Sequence, residues 1–191
     1  MDNKEELLIR RAQRGNLTAF DDLIKQYDEK VMRIILSMLN NVDDARDVYQ
    51  EVFMKVFQSI NKYQFQSKFY TWLFRIAVNT SINFRKKRTK QQGRSIEEYL
   101  EENENDWQII VSDDSENPEK QLLNLELGSN IQHSINKLSP RQKTVFVLRH
   151  YHGYKLSEIA EIMNCSEGTI KNYMFRSVQK LKKELKEYRQ I

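Results

Sequence analysis

Residues 154–185 read YKLSEIAEIMNCSEGTIKNYMFRSVQKLKKEL, and the rest of the chain is organised around them. Leu156, Ile159, Ala160 and Met163 repeat at helical spacing. Asn164-Cys165-Ser166 interrupts the pattern, and Ser166 is a good N-cap for a second helix. Small Ala160 lets two helices cross closely. Asn164 tolerates the left-handed backbone of a tight turn, and Ile170 is a buried-type residue on the second helix. The spacing predicts a helix-turn-helix whose second helix offers Glu167, Lys171, Asn172, Tyr173 and Arg176 to a DNA major groove. Any short helical hairpin shares part of this pattern, so other regions must corroborate it.

The composition favours an all-α protein. Of 191 residues, 39% are apolar, while only five are Gly and two Pro, leaving few breakers among many helix formers. No run is long and apolar enough for a membrane span, and MDNKEELLIRR does not resemble a signal peptide. With one cysteine, Cys165, an internal disulfide is excluded, and a cytoplasmic location is expected. Charge is unevenly placed. Residues 1–90 hold 17 Lys+Arg against 11 Asp+Glu, residues 91–120 hold 2 against 10, and residues 121–191 hold 12 against 6. Two basic blocks flank an acidic strip, a pattern of two nucleic-acid-facing domains and a linker that avoids or imitates DNA.

Read from the start, Asp2 and Glu5 form a capping box for a first helix that stops at Gly15. A single helix is expected from Leu17 through Met38, and a third capped by Asp43. The third helix buries Ala45, Val48, Tyr49, Val52, Phe53, Val56, Phe57 and Ile60, and exposes Asp44, Asp47, Gln50, Glu51 and Met54. That acidic, amide-bearing stripe is either an ordinary solvated face or a protein-docking surface, because it repels phosphate. After the polar loop Asn61–Lys68, a fourth helix runs from about Phe69 to Arg88. Phe69, Trp72, Leu73, Ile76, Ala77 and Phe84 lie inside, and Thr71, Arg75, Asn79 and Asn83 recur every four residues on another face. It ends in Arg85-Lys86-Lys87-Arg88, more cations than a helix C-terminus needs and suited to phosphate. Trp72 reads as core. Tyr63 and Phe65, in the loop, read as candidates for base stacking. Residues 90–117 lack a sustained period and read as a mostly extended linker, with a short helix near Ile96–Glu102. Asn117-Pro118 starts a helix carrying Leu122, Leu125, Ile131, Ile135 and Leu138. Ser139-Pro140-Arg141-Gln142 starts the next, which ends near Gly153.

Four segments together resemble the minimal, extracytoplasmic-function type of sigma-70-like bacterial sigma factor. AFDDLIKQYDEKVMRI (residues 19–34) resembles that family's first conserved helix, and DARDVYQEVFMKVF (44–57) its polymerase-binding helix. FYTWLFRIAVNTSINFRKKR (69–88) is similar to its promoter-melting and −10-reading helix. Residues 138–185, from LSPRQKTVF to LKKEL, resemble its −35-reading domain. The third segment is highly specific, and the order of all four makes the match strong.

The resemblance implies two small helical domains joined by an acidic flexible linker: residues 1–90 for polymerase binding, −10 recognition and melting, 91–118 as linker, and 119–191 for −35 recognition through the helix-turn-helix. It implies a promoter-specificity subunit with no catalytic residues, cofactor or metal. The expected partners are core RNA polymerase (clamp helices of the largest subunit and the flap region), double- and single-stranded promoter DNA, and an anti-sigma factor, without membrane insertion. Asp47, Gln50 and Glu51 fall where the family contacts the clamp helices, which favours the docking reading of their stripe. For −10 DNA the expected residues are Tyr63, Phe65, Ser67, Lys68, Arg75, Asn79, Asn83, Arg85, Lys86, Lys87 and Arg88. Of these, Asn79 sits where the family reads a flipped base. For −35 DNA they are Arg149, Ser166, Thr169, Lys171, Asn172, Tyr173, Phe175 and Arg176. Asn83 stands where many members have Asp, Lys155 replaces a common capping Ser, and Tyr173 stands where some relatives have Arg. The alternative is a stand-alone helix-turn-helix regulator, which leaves the acidic stripe unexplained. Of the three histidines, His150 and His152 form the one close pair, and a solvated or hydrogen-bonding role outweighs metal binding.

Overall fold

The computed structural model describes residues 3–92, 128 and 130–187. Among these every regular element is helical. The order is α1 (Asn3–Gln13), α2 (Leu17–Lys25), α3 (Asp28–Leu39), α4 (Val42–Ser59), a 3₁₀ turn (Ile60–Lys62) and α5 (Phe69–Gln92). There follow α6 (residues 130–136), α7 (Pro140–His150), α8 (Leu156–Met163) and α9 (Glu167–Glu187). The expected helix near Ile96–Glu102, the Asn117-Pro118 start, the acidic linker and Asp2 all lie outside the described residues.

Local chemistry accounts for most boundaries. Gly15, at φ +85°, turns the chain after α1, and the Asn16 side chain caps α2 by accepting from the Ala19 amide at 2.8 Å. One expected helix divides into α2 and α3 at Gln26-Tyr27. Tyr27 is drawn inward, its ring against Phe69 and Phe74 and its hydroxyl donating to Glu5, while Asp28 and Glu29 supply the acidic first turn of a new helix. The apolar stripe keeps its register across the break, so periodicity alone did not reveal it. Asn41, rather than Asp43, caps α4 by accepting from the Asp44 amide at 2.8 Å. Asp44 is itself buried and ion-paired with Arg88, and Phe57 is 49% exposed, so the two exchange the faces expected of them.

α3, α4 and α5 pack around a core of Val31, Ile34, Ile35, Val48, Val52, Val56, Phe69, Leu73 and Phe74, with α1 and α2 closing one side. In the C-terminal half, α7, α8 and α9 pack mutually around Val145, Leu148, Ile159, Ile162 and Ile170. A smaller cluster joins Ile135 and Leu138 to Leu181. The halves touch: α8 lies on α5 and α7 on α3. Phe74 and Tyr154 meet edge to face at 5.8 Å, and the apolar core runs on from one half into the other, with polar contacts beside it. Lys143, only 1% exposed, donates to Asn40 at 3.1 Å and to Asn136 at 2.9 Å, and the Asn40 amide donates to Asn136 at 2.7 Å.

Candidate nucleic-acid interface

The C-terminal helix-turn-helix forms as its sequence dictates. Asn164 takes the left-handed conformation, φ 52° and ψ 53°, and its backbone N–H bonds back to α8. Ser166 Oγ accepts from the Thr169 amide at 3.2 Å and lies 2.9 Å from the Thr169 hydroxyl, which frees the first turn of α9 to face outward. Lys155, lacking a capping side chain of the usual kind, is compensated by Glu158, which accepts its backbone N–H at 2.9 Å. Ile170 is buried, and Lys171, Asn172, Phe175 and Arg176 project into solvent, Phe175 being 63% exposed. Lys171 is bridged to Glu167 at 3.0 Å, a surface pair that nearby phosphate can replace. Tyr173 is half-buried and packs on the core, so it is the least available of the expected −35 set. Arg149 is exposed and donates to the Tyr154 carbonyl at 3.1 Å, bracing the turn before α8.

In the N-terminal half a shallow cavity of about 430 Å³ opens between α4, the 3₁₀ turn and α5. Asn79 and Asn83, one helical turn apart and both exposed, line it with Thr80, Lys55 and Lys62, over an apolar patch from Ile76. Lys55 is held by Glu51 at 2.5 Å and donates to Thr80 at 3.3 Å. Two amides that each donate and accept, two cations and an apolar floor form a receptacle for a planar polar group attached to phosphate. Lys55, Lys62 and Thr80 were not among the sequence candidates. The legible signal for the two lysines was the polar run Lys55, Gln58, Ser59 and Lys62 beside the loop.

Several expected −10 residues are placed differently. Tyr63 is 5% exposed, packed against Phe65, Phe69 and Trp72, with its hydroxyl donating to the Ser67 carbonyl at 2.5 Å. Burial pushes its pKa up to about 12. Its ring is therefore a core element of the loop and not an exposed stacking surface. Phe65 is half-buried under the Arg10 guanidinium, and Lys68 lies over the Tyr70 ring. Arg75 donates to the Glu161 carbonyl of α8 at 2.7 Å, so the C-terminal half occupies it. Arg85 is buried and Arg88 pairs with Asp44, which leaves Lys86 and Lys87 as the exposed part of the basic cluster. The expectation that all four cations meet phosphate fails at Arg85 because the helix faces inward there.

On α4, Asp47, Gln50 and Glu51 are exposed as expected, and Met54, 62% exposed, extends the stripe to Phe57. Among the described residues there is no cluster of three or more His, Cys, Asp or Glu positioned to hold a metal. His150 packs against Phe146, and His152 lies 3.2 Å from the Ser37 hydroxyl, its pKa lowered to about 4 by burial and by Arg33. Burial raises the thiol pKa of Cys165, which makes it a poor nucleophile. No helix of the described residues is long and apolar enough to cross a membrane.

The chain thus carries a helix-turn-helix with an exposed second helix and, apart from it, an open polar cavity lined by Asn79 and Asn83. A family model for Sigma-70 region 2 matches residues 23–91, and one for Sigma-70, region 4 matches residues 129–181. The chain is 32% identical over 184 residues to the RNA polymerase sigma-H factor of Pseudomonas aeruginosa, covering 95% of this chain and 94% of that one. It is 34% identical over 179 residues to the ECF RNA polymerase sigma factor SigW of Bacillus subtilis, covering 94% and 95%. The chain belongs to the ECF group of sigma-70-type RNA polymerase sigma factors. The stand-alone regulator is disfavoured, since the match spans both regions. Two solved structures share the fold. CnrH in complex with the cytosolic domain of CnrY has a TM-score of 0.65 at 20% identity, covering 96% of this chain and 98% of that one. The sigma factor RpoE from Bartonella quintana, in complex with the anti-sigma factor NepR, has a TM-score of 0.60 at 23% identity, covering 87% and 96%.

Proposed function

We propose that this sigma factor acts in the cytoplasm as a two-domain promoter reader, with residues 1–90 and 119–191 as its domains and 91–118 as the connection. Asp47, Gln50 and Glu51 dock on the clamp helices of the largest subunit of core polymerase, and the C-terminal domain meets the flap. Lys171, Asn172, Phe175 and Arg176 enter the −35 major groove, with Arg149, Ser166 and Thr169 near the backbone. A good bidentate contact there discriminates by about 1–3 kcal/mol. Asn79 and Asn83 receive an unpaired −10 base in the cavity beside them, and Lys86 and Lys87 hold the strand. Extruding a base costs a few kcal/mol, offset by the cavity and by polymerase contacts, so the open form is trapped rather than driven by a motor.

The cavity at Asn79 is the observation that carries this reading, because a duplex-binding regulator has no use for an open cavity lined by amides and lysines away from its recognition helix. Arg75 bound to Glu161 adds a condition: the C-terminal half must leave α5 before Arg75 can meet DNA. An anti-sigma factor that covers both domains is the expected restraint in the absence of a signal. The test adds the purified chain to core polymerase and promoter fragments. Specific run-off transcripts support the reading. Tight operator binding without polymerase, and no initiation with it, contradicts it.

A further inference from the structure

The loop that borders the cavity is tied to the first helix of the chain. Gln13 of α1 donates through one side-chain amide to the carbonyls of Ile60 and Tyr63, at 3.0 and 2.8 Å. Those carbonyls stand at the two ends of the 3₁₀ turn that carries Lys62 into the cavity. One turn earlier on α1, the Arg10 guanidinium lies 4.8 Å over the Phe65 ring and is itself fixed by Glu6 at 2.7 Å. Phe65 has φ +58°, a left-handed conformation that a bulky side chain rarely adopts and that glycine tolerates without strain. Tyr63 completes the fastening through its 4.9 Å ring contact with Phe65 and its bond to Ser67. Strain of this kind persists only where the surroundings over-determine it. Here the surroundings are α1, which lies outside residues 23–91 matched to Sigma-70 region 2.

We propose that Gln13, together with the Arg10–Phe65 contact, is a positioning element for the −10 loop: α1 sets the shape of residues 60–67 and thereby the base selectivity of the cavity at Asn79. This rests on the reading of that cavity as the −10 receptacle. Gln13 touches no DNA. It holds two carbonyls whose spacing decides where Lys62 and the loop stand relative to Asn79. Phe65 is kept at a glycine-like backbone position because its ring, clamped by Arg10 and Tyr63, pins the loop tip to α1.

The test measures reconstituted transcription from promoters with the preferred −10 element or single-base changes in it, using Gln13→Ala, Phe65→Gly and Asn79→Ala. Core-polymerase affinity and thermal midpoint are measured on each variant. Gln13→Ala is expected to lower the preferred-to-altered promoter ratio by about five- to tenfold, the scale of one or two hydrogen bonds, with core affinity unchanged. Phe65→Gly loses the clamped ring but relieves the backbone strain, so its midpoint should change little while the same ratio falls. A role confined to folding predicts loss of midpoint in both Gln13→Ala and Phe65→Gly, with an unaltered ratio in each. Loss of base preference in Asn79→Ala with full preference in Gln13→Ala and Phe65→Gly overturns the positioning role alone. Full preference in all three overturns the reading of the cavity, and the positioning role with it.

Discussion

The packing within the N-terminal helices and the joint between the two halves differ in how many polar contacts they carry. Around α5 the first is dry and aromatic: Phe69 touches Tyr27, Tyr63 and Trp72, and Leu73 and Phe74 are fully enclosed. The joint adds hydrogen bonds to its apolar contact: Tyr70 to Glu158 at 3.0 Å, Arg75 to Glu161 at 2.7 Å, Ser37 against His152, and Lys143 between Asn40 and Asn136. Apolar groups cannot recover in water what they lose on separation. Polar groups can, because water replaces each partner. The second interface, richer in polar contacts, is therefore the one that parts and closes more readily, which suits a protein that presents two readers at separate promoter elements.

The strongest break of the comparison is Phe69→Ala. It removes a fully buried ring from the dry interface and should cost about 3–5 kcal/mol, read by chemical denaturation of the whole chain. Asn136→Ala should act on the joint instead. It strips Lys143 and Asn40 of a shared acceptor and should weaken closure by about 1–3 kcal/mol. A distance probe between α4 and α9 should report longer separations, while the N-terminal half melts as before. If the two substitutions unfold the chain in the same manner, the contrast between the interfaces is wrong.

The joint should also respond to pH. Burial, then Arg33, lowers the pKa of His152 to about 4 from its usual 6.5, so the closed arrangement favours neutral histidine. Closure is fully supported above about 6.5 and is lost as pH falls toward 4. Glu158 acts in the same direction. Its carboxylate is stabilised by the Lys155 backbone N–H and by Tyr70, so that support also fades in acid. Lys143, whose pKa burial and then Arg85 lower, likewise resists protonation in the closed form. The same distance probe should lengthen on acidification, and His152→Gln should flatten the profile between pH 6.5 and 4. The smallest effect on stability is expected at Glu51→Arg. It breaks only an exposed pair with Lys55, worth at most about 1 kcal/mol, yet it should weaken core-polymerase binding.

Legibility in the sequence followed the range of the interaction that decided each feature. Ser166 over Thr169, Asn164 in its left-handed turn, and Ser139 with Gln142 are contacts within a few residues, and each was readable. The exposed stripe of Asp47, Gln50 and Glu51 followed from period alone. Asp44 was read as exposed, because its partner Arg88 lies 44 residues away. Arg85 reads as a surface group for the same reason, since a basic cluster looks solvated until a distant helix covers it. Tyr63 is different: its partners Phe65, Phe69 and Trp72 are close in sequence, but a polar loop has no period from which to place its side chains. Lys143 carried no local sign of burial, since its two amide partners come from the C-cap of α3 and from α6. The cavity was half legible: Asn79 and Asn83 announced themselves on α5, while Lys55 and Lys62 gain meaning only when α4 is laid beside them.

The division of labour between α5 and α9 is the central claim, and transcription by the reconstituted polymerase on promoters altered at one element at a time tests it directly. Asn79→Ala should lose its preference at −10 and keep it at −35, and Arg176→Ala should do the opposite. Equal loss at both elements from either substitution, or no loss from both, would contradict the claim.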